Sequence, residues 1–388
     1  MTMLRRFLVA IPLLIGGVVG AAVYSHDRIR DAGPIPAALP DSAFWRMVDR
    51  MSEPNGFFRS DNFVSNETQL QTVIPGVQRK VRAGGVYIGV GPEQNFTYII
   101  AFRPAIAFIV DIRRQNAMEH LLYKALIEMA SDRAEFLSWL FSRPRPPGLD
   151  SLSSVGALMS AFALVEPDAD LLDSVDAMVE RHLRTTHHFP ITESDAASMS
   201  YVHSAFYEGG PALTYSMFQR TRGGRGGGPF YGGGLRGMPT YASLMGETDA
   251  SGAQRGYLAT EDNFRMLRDM ERRNLIVPLV GDFAGPKALR EVGRWVRAHD
   301  TRVSYFYTSN VEQYLYQQGS DWRHFYENVA TLPIDSASTF IRSAPNRMSG
   351  TPYGGIRMTQ LVMPIAEQLA AFRAGEIQTY GEMLARNR

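Results

Sequence analysis

The chain has 388 residues, 45% apolar and 20% charged, enough to bury one large core or two modest ones. Its 40 basic residues balance 39 acidic ones, so no global charge draws it toward nucleic acid or anionic lipid. Cysteine is absent, which excludes disulfides, thiolate metal sites, cysteine nucleophiles and lipoprotein anchoring.

Arg5 and Arg6 precede an uncharged run from Phe7 to Val23. The run is longer than a usual signal-peptide core and just short of a ~20-residue span. Residues 1–25 therefore read as a signal peptide or a membrane anchor. Either places the rest of the chain outside the cytoplasm, exported or anchored to the inner membrane, because the arginines stay inside. Residues 26–40 carry three prolines and read as a linker.

The body begins at Asp41, where "DSAFWRMVDRM" spaces Phe44, Met47, Val48 and Met51 as a helix does. A second helix is predicted from Leu70, Val73, Ile74, Val77 and Val81. "GGVYIGVG" (84–91) reads as a buried strand that stops at glycine, and "EQNFTYIIAF" as a helix that Pro104 ends. "AIAFIVD" (105–111) is a second buried strand. Neither strand alternates, as expected where both faces are covered. "QNAMEHLLYKALIEMASDRAEFLSWLF" follows as a long helix or a broken pair, stopped by "SRPRPPG".

The stretch from about 145 to 255 differs in character. It is helical and polar at first, then carries a glycine-rich loop, residues 220–239, with four arginines. A flexible lid, an RNA-binding tract and a disordered excursion compete there, and a mobile surface loop is favoured over nucleic-acid binding. Strand–helix alternation then returns. Residues 260–274 are a helix with Thr260 as its cap, "LIVPLVGDF" a strand ending in Gly-Asp, and 286–299 an amphipathic helix begun by proline. "VSYFYTSNVEQYL" passes from strand through Thr-Ser-Asn into a helix, and 338–343 forms a further strand. Residues 346–388 read as a partly helical extension. The pattern predicts an α/β fold with a mostly parallel sheet over residues 41–345.

Within it, Gly89-Val90-Gly91 supplies a bend between strand and helix, and Asp111 ends the next strand 20 residues after Gly91. That spacing matches a dinucleotide-binding fingerprint, although Gln94 stands where a third glycine is usual. A tight turn with a capping aspartate is the alternative.

The order strand–GxG–helix–strand–Asp, strand–Gly-Asp–helix, strand–Ser-Asn resembles class I S-adenosylmethionine-dependent methyltransferases. "SDNFVSNE", "YIGVGPEQNFTYI", "DIRRQN" and "LLYKALIEMASDRAEFLSWLFSRPRP" look like a bacterial family of uncharacterised proteins with that Rossmann-like fold. The resemblance implies a doubly wound, mostly parallel sheet with a large insertion between its second and third strands. It implies S-adenosylmethionine, or a nucleoside-like ligand, bound by Gly89, Gly91, Gln94, Asn95, Asp111, Asp282 and Asn310. It also puts Thr308, Ser309 and Asn310 beside the methyl-transfer site. Tyr87 stands where such enzymes carry an acid two residues before the first glycine.

His120, Glu312 and Tyr314 are candidate bases, but no catalytic residue is assigned. Asn62, Asn66 and Glu67 either line the pocket or cap a helix. His187-His188 with Glu193 and Asp195 read as a surface loop, and no metal is expected. Two functions follow: a methyltransferase-like enzyme, or a non-catalytic envelope protein that uses the fold as a binding module.

Overall fold

A six-stranded sheet carries this mixed α/β fold. The computed structural model describes residues 33–215, 238–345 and 358–386. The segment 1–25 and all but the last two residues of the glycine-rich loop 220–239 lie outside them. Among the described residues no helix is long and apolar enough to cross a membrane.

The strands are β1 (Val86–Gly89), β2 (Ile106–Asp111), β3 (Ile276–Val280), β4 (Val303–Ser309), β5 (Thr339–Pro345) and β6 (Met358–Pro364), in the spatial order β3-β2-β1-β4-β5-β6. The first five run parallel, and β6 returns antiparallel to β5. Strands β1, β2 and β3 are buried along their whole length, which accounts for their unbroken apolar runs. Because β1 sits between β2 and β4, the direction in which strands are added reverses there.

Helix α1 (Asp41–Met51) lays Phe44, Met47, Val48 and Met51 into the core and packs against β3. After α2 (Ile74–Lys80), α3 (Gln94–Phe102) connects β1 to β2. Helix α4 (Arg114–Met129) follows β2 and packs on β2 and β3. The long apolar stretch is a broken pair: Asp132 accepts the Glu135 amide and starts α5 (Arg133–Leu140). Helices α6 (Val155–Ala163), α7 (Ala169–Arg181), α8 (Glu193–Gly209), α9 (Tyr241–Met245) and α10 (Glu261–Arg272) then intervene before β3. Thr260 caps α10 through the Asn263 amide. Helices α11 (Ala288–Ala298), α12 (Val311–Leu315) and α13 (Asp321–Val329) alternate with the later strands. Two more helices, Ile365–Arg373 and Tyr380–Ala385, end the described chain.

The excursion between β2 and β3 is fastened at its neck by one buried arginine. Arg133 reaches Glu261 Oε2 at 3.1 Å, the Leu258 carbonyl at 2.8 Å, and the Ser151 and Ser153 carbonyls at 3.0 and 2.9 Å. A guanidinium has five donors in a fixed fork, so it can serve several chain segments at once.

The sheet does not stop at residue 345. The segment 346–388, expected only as a partly helical extension, supplies β6, paired with β5 from Thr339↔Pro364 to Pro345↔Met358. Pairing with an open sheet edge decides this strand, where local preference is a weak guide.

Candidate functional site

Beyond the carboxyl ends of β1 to β4 lies a cavity with about 910 Å³ of atom-free space, counting its mouth. Its floor is Val90 and Gly91 after β1, Val110 and Asp111 of β2, Gly281 and Asp282 after β3, and Ser309 and Asn310 after β4. Its walls include Phe57, Phe58, Phe283 and Tyr314. Four widely separated pieces of sequence therefore meet at the place where strand order reverses, the usual ligand crevice of an open α/β sheet.

Five of the seven residues expected to hold a ligand line this cavity: Gly91, Gln94, Asp111, Asp282 and Asn310. Gly89 and Asn95 do not, and their chemistry explains the turn. A Cβ on Gly89 would stand 1.9 Å from Asn95 Oδ1. The bare strand end lets the Asn95 side chain fold back under the loop, where Nδ2 donates to the carbonyls of Val90 (3.0 Å), Gly91 (3.1 Å) and Pro92 (2.8 Å). Tyr87 donates its hydroxyl to Asn95 Oδ1 at 2.9 Å, so the tyrosine found in place of an acid braces the same turn from the core. Gly91 has φ +79, a left-handed conformation that glycine takes without strain. His120, a candidate base, donates Nε2 to the Gly91 carbonyl at 2.9 Å. Burial lowers its pKa to about 4, so it is a neutral brace for the turn.

At the tip of β2, Asp111 is already engaged. Arg113 donates its backbone amide (2.9 Å) and Nε (3.2 Å) to Asp111 Oδ1, and both side chains are buried. The same guanidinium donates to the carbonyls of Ser60 (2.8 Å) and Asp61, pinning the 57–66 segment over the cavity. An ionised carboxylate has about four lone-pair sites, so Asp111 keeps acceptor capacity for a ligand. Asp282 turns its Oδ1 to the Ala284 amide at 2.8 Å, and burial raises its pKa. Its backbone is held by Glu53, which also accepts from the first amides of α11.

Against the β4 tip lies Glu67, which the sequence offered either as a pocket residue or as a helix cap. Glu67 is fully buried, lines the cavity, and accepts from Tyr307 (2.5 Å), Ser309 and Ser343. Burial raises its pKa; the hydroxyls and the Gln360 amide on β6 partly offset this. Ser309 holds φ +53, which costs a non-glycine residue of order 1–3 kcal/mol and clusters at functional sites. Thr308 points away and bonds Glu312 at 3.3 Å. Glu312, another candidate base, is bound by Arg342 (2.5 Å) and Tyr326 (2.5 Å), and is a structural anion away from the cavity. Tyr314 does line it, edge-on to Phe58.

Behind the turn lie Glu93 and Glu119, both fully buried. The Glu119 oxygens have no hydrogen-bond partner among the described residues. Burial and the Glu93 carboxyl push its pKa far up, while burial raises Glu93 to about 8. Burial likewise raises Glu271 to about 8. Each of these carboxyls binds its proton more tightly folded than unfolded, so its stabilisation is whole below the unfolded value near 4.5 and drains as pH rises toward 8. His120 acts in the opposite sense only below about 6.5. Stability to urea is therefore expected to fall from pH 6.5 to 8, by roughly 1.4 kcal/mol per pH unit for each carboxyl. Glu93→Gln should flatten the profile; a wild-type curve that is level over this range would refute the assignment.

The chain belongs to a family described as a domain of unknown function (DUF7790), whose model matches residues 62–144 and 218–380. The match takes in all six strands and every cavity-lining residue named above except Phe57 and Phe58, and leaves out residues 57–61 of the covering segment and α6 to α8. No curated protein matches the chain.

Proposed function

The family description names no chemistry, so we propose from the site's geometry that the cavity binds S-adenosylmethionine or a related nucleoside. With it we propose that the sheet is the Rossmann-like, doubly wound arrangement of class I methyltransferases. One observation carries the reading: Gly91, Gln94, Asp111, Asp282 and Asn310 converge on a single cavity at the β1/β4 reversal. Asp111 would accept ribose hydroxyls, the Gly91 turn would face the methionine part, and Asp282 would approach the adenine. The aromatic walls suit a flat base and a sulfonium, which is attracted to ring faces.

Methyl transfer needs nucleophile and methyl carbon held in line. Held by Gly91, Asp111 and Asp282, S-adenosylmethionine would supply an electrophilic methyl group to an acceptor hydroxyl, whose proton must then be taken up. The proton passes through the Ser309 hydroxyl to Glu67, whose raised pKa suits it to general-base work. A second reading, a binding module without transfer, is favoured by Tyr87. Its hydroxyl is tied to Asn95, so it cannot replace the acid that would take the cofactor's amino group. In both readings residues 1–25 export or anchor the protein, placing the domain in the cell envelope.

Calorimetric titration of the full chain with S-adenosylmethionine and S-adenosylhomocysteine tests the proposal. Micromolar binding is expected, weakened about tenfold or more in Asp111→Asn as a charged hydrogen bond is lost. Absence of heat from both ligands, with cooperative unfolding intact, would remove it. Binding without release of S-adenosylhomocysteine when hydroxyl acceptors are supplied would leave the module.

A further inference from the structure

A second cluster lies where the α6–α8 excursion meets α4, on residues that the cavity does not use. Glu128 is buried near the end of α4. Two histidines approach it from the π-helical turn that follows α7: His182 opens the turn and His187 stands just beyond it. Both place Nε2 2.7 Å from the same oxygen, Glu128 Oε2. The two rings lie 4.8 Å apart at 90°, and the three polar atoms are within 4.8 Å of one another. Among the described residues this is the one such group of three.

The surroundings fix the orientation of each group. His187 turns Nδ1 to Asp41 Oδ1 at 2.9 Å and stacks on Phe189. Asp41 is steadied by Asn274 Nδ2 at 2.8 Å. Lys124 holds the other oxygen of Glu128, Oε1, at 2.6 Å, so Oε2 alone faces the histidines. π-Helical turns are rare and concentrate at functional sites; here the wider turn brings both imidazoles to one side.

The geometry points to a divalent transition-metal site of the zinc type, with Glu128 Oε2, His182 Nε2 and His187 Nε2 as ligands. Two imidazoles and one carboxylate are a nitrogen–oxygen donor set that zinc accepts, with a fourth position left open. Asp41 is the outer carboxylate that receives the remaining N–H of a ligating histidine and fixes its tautomer. Without an ion the same contacts require protons: each Nε2 must donate to Oε2, and His187 must donate from Nδ1 as well. A cation replaces the two Nε2 protons and leaves the Asp41 bond in place. At zinc bond lengths of ~2.0–2.1 Å, tetrahedral ligands stand about 3.3 Å apart, so each 2.7 Å histidine–carboxylate separation would open by roughly 0.6 Å on binding. Three protein ligands leave one position for water or another ligand. An open groove beside Asp41, Trp45, His187 and His188 gives an entry path.

Glu128 lies in the part of the chain matched by the family model, and both histidines lie in the stretch it leaves out. The ion would rivet that stretch to α1 and α4. Of the residues that read from sequence as a surface loop with His187, Glu193 pairs with Arg184 and Asp195 with Arg114, so neither carboxylate serves the histidines. The partner carboxylate comes instead from 54 and 59 residues away, a separation that local spacing does not reveal.

The test is independent of the cavity. Full chain stripped by a chelator is titrated with zinc alone by calorimetry, and with cobalt alone by visible absorption. One ion per chain is expected, with micromolar or tighter affinity and the intense visible bands of tetrahedral cobalt. Asp41→Asn should weaken binding about 10–100-fold, the effect typical of an outer-shell partner. His182→Gln with His187→Gln should abolish it, unfolding curves confirming that the variants fold. Lack of stoichiometric binding in the folded wild-type chain would overturn the proposal and leave a proton-linked ion-pair cluster. Binding that survives the double substitution would overturn it too.

Discussion

Arg113→Ala is expected to destabilise the fold by about 3–5 kcal/mol, the usual result of removing one partner from a buried ion pair. The substitution leaves the Asp111 carboxylate without its cation and the Ser60 and Asp61 carbonyls without their donor. It also frees the 57–66 segment that lies over the cavity, so ligand affinity should fall with stability. Arg113→Lys separates the two effects. It keeps the charge, but a point-like ammonium cannot serve Asp111 and two carbonyls in the planar fork that the guanidinium supplies. Lysine should recover part of the stability and little of the binding. Urea unfolding and calorimetry on the same preparations measure both. A loss below 1 kcal/mol in Arg113→Ala would mean that the pair is not the clamp described here.

Gly89→Ala is the second substitution with a large expected effect, about 2–4 kcal/mol, from overpacking and from hydrogen bonds left unmade. The added methyl stands 1.9 Å from Asn95 Oδ1 and 2.7 Å from Tyr87 Cε1. Asn95 must swing out, abandoning three carbonyls and the Tyr87 hydroxyl. A double-mutant cycle with Asn95→Ala makes the mechanism visible. Once Asn95 is truncated the methyl meets less resistance, so the combined loss should be smaller than the sum of the two. Additive losses would show that the glycine is needed for some other reason.

These two residues show what was legible in the sequence. The buried strands, the glycine bend and the polar strand tips Asp111, Asp282 and Asn310 announce themselves, because each is an abrupt change at the end of an apolar run. The purpose of Gly89 was not legible. A glycine at a strand end looks the same whether it admits a ligand or a neighbouring asparagine, and only the packed turn distinguishes them. Glu67 was ambiguous for a related reason. Its environment is built from Tyr307, Ser309, Ser343 and Gln360, residues that only strand pairing brings together, and β6 itself gave no strong local signal. Glu312 and His120 read as possible bases because polar side chains near strand tips attract attention. Tertiary contacts assign both to bracing.

The strand order also governs how such a chain folds during synthesis. Val86 of β1 can pair with Ile106 of β2 once both have been made, but its other neighbour, Val303 of β4, is more than 200 residues further on. At ~5–20 residues per second, the middle of the sheet waits on the order of 10–40 s with one edge of β1 unpaired. A bare edge is a template for foreign strands. The helices made in that interval, α4 foremost, can bury the sheet's apolar face but cannot satisfy that edge. The nascent chain is thus most vulnerable to aggregation late in translation, and it is β4 that relieves it.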